Sequence, residues 1–127
     1  MNPPFDPQRG LVIVAAELWG ASGSAVLRLA VDTGATSTVV NVAMLVALGY
    51  DPALAPDRIQ ITTGSGVEFV PRVPLHKLAA LGLERTAFSV LAHTLPPSAG
   101  VDGLLGLDFF REQVLTIDFR SGRVVVA

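Results

Sequence analysis

Short apolar segments alternate with turns that contain glycine, proline or serine through almost the whole chain. Six of them carry the β-branched and aromatic residues typical of strands: residues 11–16, 25–31, 38–40, 86–91, 114–119 and 123–126. Pro71 and Pro74 interrupt a further region and confine it to a sheet edge or an irregular path. So many short strands in a chain of 127 residues favour an all-β fold, a small closed barrel with one or two short helices.

Two short helices are predicted among these strands. The apolar run 42–48 follows Asn41, which favours helix N-caps, and precedes Gly49, which favours helix ends. A second helix is expected over 106–111, after a Leu-Leu-Gly turn. A Gly-rich tip at 63–66 lies between two alternating segments, 59–62 and 67–70, and this pattern predicts a β-hairpin.

Composition indicates one globular domain and excludes several classes of protein. Half of the residues are apolar and 16% are charged, which is too hydrophobic for a disordered chain. The net charge of −2 shows no bias toward nucleic acid or an acidic membrane surface. No apolar run approaches the roughly 20 residues of a membrane span. The chain has no cysteine, so disulfides and thiolate chemistry are excluded.

The first ten residues are expected to form an extended segment, followed by one domain over 11–127. Three of the first seven residues are prolines. A signal peptide would need a basic start followed by an apolar stretch, and the N-terminus has neither. We therefore expect either a cytoplasmic protein or a soluble fragment of a longer one.

Asp32-Thr33-Gly34-Ala35 follows the apolar strand 26–31 and is the chain's most informative motif. The strand carries one carboxylate to its end, and Gly34 lets the backbone turn sharply beside it. The Thr33 hydroxyl can hydrogen-bond locally and hold that turn. Some seventy residues later comes Val-Asp-Gly-Leu-Leu-Gly-Leu-Asp-Phe-Phe, at 101–110, with the Gly-rich hairpin between the two blocks.

This order of blocks resembles the retropepsin-like aspartic proteases over roughly residues 11–119. The resemblance implies a barrel of the acid-protease type, with Asp32 catalytic and no cofactor or metal. It also implies that Asp32 is supported by two backbone elements: the active-site loop Thr33, Gly34 and Ala35, and the apolar-apolar-Gly element Leu104, Leu105 and Gly106. Retroviral members usually have an aspartate where this chain has Thr36, and the run 101–109 looks closer to bacterial members.

The chemistry of this family implies a homodimer. One ionised carboxyl takes a proton from water, while a second, protonated carboxyl polarises the peptide carbonyl. Two carboxyls about 3 Å apart share one proton, since ionising both is costly. One Asp32 cannot fill both roles, so the motif predicts two copies of the chain that meet on a two-fold axis. The apolar run 124–127 is a plausible interface strand.

The Gly-rich hairpin is the candidate flap over a polypeptide substrate. Its tip comprises Thr63, Gly64, Ser65 and Gly66. Glycines allow such a tip to open and to approach an extended peptide closely, so that recognition is largely through main-chain hydrogen bonds.

Other interpretations remain open at this point. Asp102, also followed by glycine, is an alternative second carboxylate of a dyad within one chain. Asp108 is expected to cap the short helix or to hydrogen-bond to nearby backbone. His76 and His93 are far apart in sequence, which argues against a metal site. Two other functions stay possible: a retropepsin-like module that dimerises and binds peptide but cuts poorly, and a monomeric ligand-binding barrel.

Overall fold

The computed structural model describes residues 4–127, except for the side chain of Thr63, and most of these residues lie in strands. Residues 1–3 of the predicted N-terminal segment lie outside the described residues. The nine strands are β1 (Ile13–Gly20), β2 (Gly23–Val31), β3 (Val39–Val40), β4 (Asp57–Thr63), β5 (Gly66–Ala80), β6 (Leu83–Ala92), β7 (Gly103–Leu105), β8 (Leu115–Asp118) and β9 (Arg123–Val126). The helix α1 spans Val42–Ala47, and 3₁₀ helices lie at Pro52–Leu54, Pro97–Ala99 and Leu107–Phe110.

Six of the strands close into a barrel. They are hydrogen-bonded in the order β1-β2-β7-β3-β6-β5, and β5 pairs back onto β1 from Ala16↔Ala80 to Trp19↔Lys77. β4 pairs with β5 alone, so the β4–β5 hairpin extends from the barrel as an added arm. The expectation of a small closed all-β barrel with short helices is confirmed.

The core follows from the two-residue alternation of side chains along each strand. In β1 the side chains of Val14, Ala16 and Leu18 are buried, and in β2 those of Leu27 and Leu29 are buried. Burying a leucine side chain contributes about 1.5–3 kcal/mol, so these alternating positions fix which face of each strand points inward.

β5 is one continuous strand, so its two prolines do not give an irregular path, but Pro74 does lie at a local sheet edge, as expected. His76 donates its N–H to the Tyr50 hydroxyl at 2.9 Å, on the side of β5 away from β6. Backbone groups alternate in direction along a strand, so the missing N–H of Pro74 lies on that same side, where β5 has no strand partner. Pro71 is paired with β4, but by the same alternation its nitrogen faces the β6 side. The pairing of β5 with β6 stops at Arg72, so Pro71 also costs no ladder bond.

The predicted helix is present, but its N-cap works differently from the expectation. Asn41 makes no side-chain cap. Its Oδ1 instead accepts the N–H of Leu95 at 3.1 Å and joins the helix start to the loop after β6. Gly49 ends the helix with a φ of +93°, which favours glycine. Within residues 4–127, no helix is long and apolar enough to cross a membrane.

β8 and β9 form a separate two-stranded sheet. The buried Phe5 connects to it, because its N–H donates to the Gly122 carbonyl at 2.7 Å and its ring meets Phe119 edge to face at 5.5 Å. In the turn between the strands, hydrogen bonds from the Ser121 N–H and hydroxyl, and then from the Arg120 N–H, lower the pKa of Asp118. The boundary of the domain at residue 11 stays a prediction.

Candidate active site

Asp32 lies at the point where β2 leaves the barrel, and its backbone and carboxylate are both held. Its N–H donates to the Leu105 carbonyl on the parallel strand β7 at 2.9 Å. Its Oδ1 accepts the N–H of Gly34 at 2.9 Å, and its carbonyl accepts the N–H of Ala35 at 3.2 Å. The half-buried carboxylate therefore stands in a fixed orientation in a tight turn whose residues Thr33 and Gly34 are exposed.

Gly106 allows the element 104–106 to lie directly against this loop. A Cβ at Gly106 would stand 2.6 Å from the carbonyl carbon of Ser37 and 2.9 Å from the oxygen of Ala35. Immediately after it, Leu107 donates its N–H to the Ala35 carbonyl at 2.8 Å. The requirement for glycine comes from this backbone contact and not from its φ of −90°, which any residue adopts.

Thr38 and Asp108 form a partly buried hydrogen-bond network that the sequence patterns do not indicate. The Thr38 hydroxyl donates to Asp108 Oδ1 at 2.7 Å and accepts the Gly106 N–H at 3.1 Å. The Thr38 N–H also donates to both carboxylate oxygens of Asp108, at 3.0 and 3.1 Å. The expectation that Asp108 caps its own helix or bonds to nearby backbone is wrong, because its carboxylate instead accepts the N–H of Thr38, 70 residues earlier in the chain. The sequence offers one signal for this contact: Thr38 and Asp108 are polar residues in otherwise apolar runs.

Asp102 does not reach Asp32, so the alternative of a dyad within one chain is wrong. Its Oδ2 accepts the N–H of Arg28 at 2.8 Å, and its own N–H donates to the Arg28 carbonyl at 2.8 Å. Arg28 precedes Asp32 by four residues of strand, which is roughly 13 Å. Asp102 joins β2 to β7 at the far end of their pairing.

The β4–β5 hairpin and the Asp32 loop face each other across a groove of about 510 Å³. The groove is lined by residues of the loop, of β4 and of the barrel rim: Ala35, Thr36, Ser37, Val39, Ile59, Gln60, Ile61, Thr62 and Leu91. The hairpin tip pairs Thr63 with Gly66 around Gly64 and Ser65. Gly66 has a φ of +127°, which L-residues rarely adopt, whereas Gly64 has no positive φ. The side chain of Thr63 lies outside the described atoms.

The histidines take no part in this site. His76 is exposed on β5, where its ring meets that of Tyr50 edge to face at 5.6 Å. His93 follows β6, and its N–H donates to the Val40 carbonyl at 3.1 Å. In the part of the chain that the structure describes, no three histidine, aspartate or glutamate residues cluster to hold a metal ion.

Comparisons with known proteins agree with this geometry. The family model described as "gag-polyprotein putative aspartyl protease" matches residues 22–112, which include both the Asp32 loop and Gly106. The barrel is similar to the crystal structure of a retropepsin-like aspartic protease from Rickettsia conorii, with a TM-score of 0.69 and 17% identity, over 100% of this chain and 98% of that one. A search of curated protein sequences gives no significant match. The chain belongs to the gag-type aspartyl protease family and has the retropepsin-like fold.

Proposed function

We propose that the protein is an aspartic endopeptidase that acts as a homodimer. The observation that carries this proposal is the Asp32 carboxylate, fixed by the Gly34 N–H and placed in a loop that borders an open groove. In this proposal Asp32 of one copy is ionised and takes a proton from water, while Asp32 of the second copy is protonated and polarises the scissile carbonyl. The water oxygen attacks the carbonyl carbon, and the amide nitrogen leaves with a proton.

The carboxylates of one chain support the proposal of a second copy. Asp102 is engaged with Arg28 at the other end of β2, and Asp108 is engaged with Thr38. Neither acid is available to share a proton with Asp32. The second carboxyl of the dyad therefore comes from a second copy of the same loop, related by a two-fold axis.

An extended polypeptide segment suits the groove. β4 forms one wall, and its hairpin tip carries Gly66 in a conformation that allows close backbone approach. Val67 and Phe69 are exposed near the tip and supply apolar surface for substrate side chains. We propose that this hairpin is the flap that closes over the bound peptide.

A peptide-library cleavage assay between about pH 3 and 7, run beside an Asp32→Asn variant, tests the proposal. We expect cleavage by the native protein and none by the variant, because an amide of the same shape cannot hold the shared proton. Circular dichroism and sedimentation should show the same fold and the same oligomeric state for both. Cleavage by Asp32→Asn would contradict the proposal. Peptide binding without cleavage at any pH would identify a dimerisation and peptide-binding module instead.

A further inference from the structure

A second cavity, of about 210 Å³, continues the groove beside the Asp32 loop. Thr36, Ser37, Ile59 and Leu91 line both cavities. The second cavity is completed by a different set of side chains, which is polar and charged: Arg72, Ser89, Asp108 and Arg111. A peptide that lies in the groove therefore reaches these polar side chains without leaving it.

The second cavity has an excess of positive charge. Arg72 and Arg111 are exposed, and neither guanidinium forms an ion pair or hydrogen bond among residues 4–127. Asp57 lies opposite Arg72 in the β4–β5 register, but no ion pair joins the two side chains. The one carboxylate that lines the cavity, Asp108, already accepts hydrogen bonds from Thr38.

The backbone beneath both arginines is firmly held. The Arg85 guanidinium donates to the carbonyls of Phe109 and Arg111, at 3.0 and 2.6 Å. Arg72 lies where β5 is paired on both sides, with Asp57 of β4 and Leu91 of β6. Both side chains therefore start from held backbone positions and line the same cavity, so an anion bound there can contact both arginines without a movement of the backbone.

We propose that Arg72 and Arg111 form a subsite that binds a carboxylate of the peptide, an inference that rests on the proposed function. The planar guanidinium matches a carboxylate with two parallel hydrogen bonds. The Ser89 and Thr36 hydroxyls offer further donors at the cavity wall. The carboxylate belongs either to a glutamate or aspartate side chain or to the C-terminus of the peptide, and the subsite makes the enzyme prefer acidic segments over neutral ones.

Paired peptides test the subsite. In one series, C-terminally amidated peptides differ only by glutamate or glutamine at a single position; in the other, a peptide with a free C-terminus is compared with its amide. Binding is measured by fluorescence anisotropy in an Asp32→Asn background, and cleavage is measured as kcat/KM in the native protein. The same measurements are made with Arg72→Gln, Arg111→Gln and the double variant. Arg9→Gln removes the same charge from an exposed turn before β1 and is the matched control.

We expect the glutamate peptide to be preferred over the glutamine peptide by a ratio of about ten at one position. This ratio should fall toward one in the double variant and stay near ten in Arg9→Gln. It should also fall as the salt concentration rises. A preference confined to the free C-terminus and lost in the double variant would assign the subsite to the peptide terminus. No carboxylate preference, or one that the double variant retains, would overturn the inference. Cleavage without carboxylate preference would refute the subsite alone, whereas a carboxylate preference in binding without any cleavage would refute the endopeptidase alone.

Discussion

At the scale of single residues, the Asp32 loop is held by polar contacts that come from distant parts of the chain. Thr38 is fully buried and its hydroxyl connects Asp108 to the Gly106 N–H, so one side chain joins both backbone elements beside Asp32. A buried hydroxyl is stable only when it is hydrogen-bonded, and here both its donor and its acceptor capacity are used. This network stabilises the loop that orients the candidate catalytic carboxylate.

Replacing Thr38 by valine should therefore be costly although the two side chains have the same shape. The Thr38→Val variant loses a hydrogen bond to a carboxylate and leaves the buried Gly106 N–H without its acceptor, so we expect a loss of about 2–3 kcal/mol in the free energy of unfolding. Urea denaturation measures this loss. Thr38→Ser keeps the hydroxyl and is the control. Equal stability of Thr38→Val and the native protein would mean that the network contributes nothing.

In contrast to Asp32, Asp102 is expected to have a structural role. Its carboxylate accepts the Arg28 N–H near the protein surface, where water can hydrogen-bond to this N–H when the carboxylate is removed. We expect Asp102→Ala to lower the free energy of unfolding by about 1 kcal/mol and to leave peptide cleavage largely intact. Loss of cleavage with unchanged folding and dimerisation would place Asp102 in the catalytic machinery.

The sequence predicts the Asp32 turn, but it does not predict the Thr38–Asp108 hydrogen bonds that stabilise this turn. Asp32, Gly34 and Ala35 form a local turn, and neighbouring residues alone indicate it. Thr38 and Asp108 are 70 residues apart, and the parallel pairing of β2 with β7 is what places their chains side by side. Such a contact depends on the completed barrel, so periodicity and turn residues cannot predict it.

At the scale of secondary-structure elements, β5 shows how tertiary context overrides local preference. Two prolines predict a sheet edge or an irregular path, and the strand runs unbroken over 15 residues. Each proline sits where the ladder needs no N–H from it, and that depends on which neighbours the strand has. β5 thus belongs both to the barrel wall and to the hairpin above the groove, so the position of the hairpin depends on the barrel.

The hairpin tip yields a prediction that distinguishes its two glycines. Gly66 has a φ of +127° and Gly64 has no positive φ, while an added Cβ at either position would meet no atom within 4 Å. Alanine at Gly66 introduces about 1–3 kcal/mol of local backbone strain, and we expect a fall of about tenfold in kcat/KM. Gly64→Ala, the matched control, should have a smaller effect.

Thermal unfolding should change little in both variants, because a hairpin tip with few buried contacts can relax the strain by local rearrangement. Equal cleavage by Gly66→Ala, Gly64→Ala and the native protein would show that this hairpin is not the flap. The substrate contacts would then have to come from the loop side of the groove.

At the scale of the whole molecule, the proposed activity depends on a second copy of the chain. The β8–β9 sheet has only two strands, and its inner face packs on the barrel core. Phe5 covers part of it, but Val114, Phe119 and Val125 remain exposed. These apolar side chains, close to the predicted interface strand at 124–127, make this sheet the best candidate for the dimer contact.

Val125→Asp tests this assignment, because a carboxylate buried at the dimer contact would lose its hydration without gaining a partner. We expect the dimer dissociation constant to rise at least about tenfold, which corresponds to about 1.4 kcal/mol. Cleavage per mole of protein should then fall on dilution and recover on concentration, more steeply than for the native protein.

Val46→Asp on α1 is the matched control, since Val46 and Val125 have similar exposed fractions, 56% and 51%. Sedimentation equilibrium measures the dissociation constants directly. A monomer that cleaves in simple proportion to its concentration would contradict the proposed dyad, whereas a native-like dimer in Val125→Asp would move the contact to another surface and leave the dyad intact.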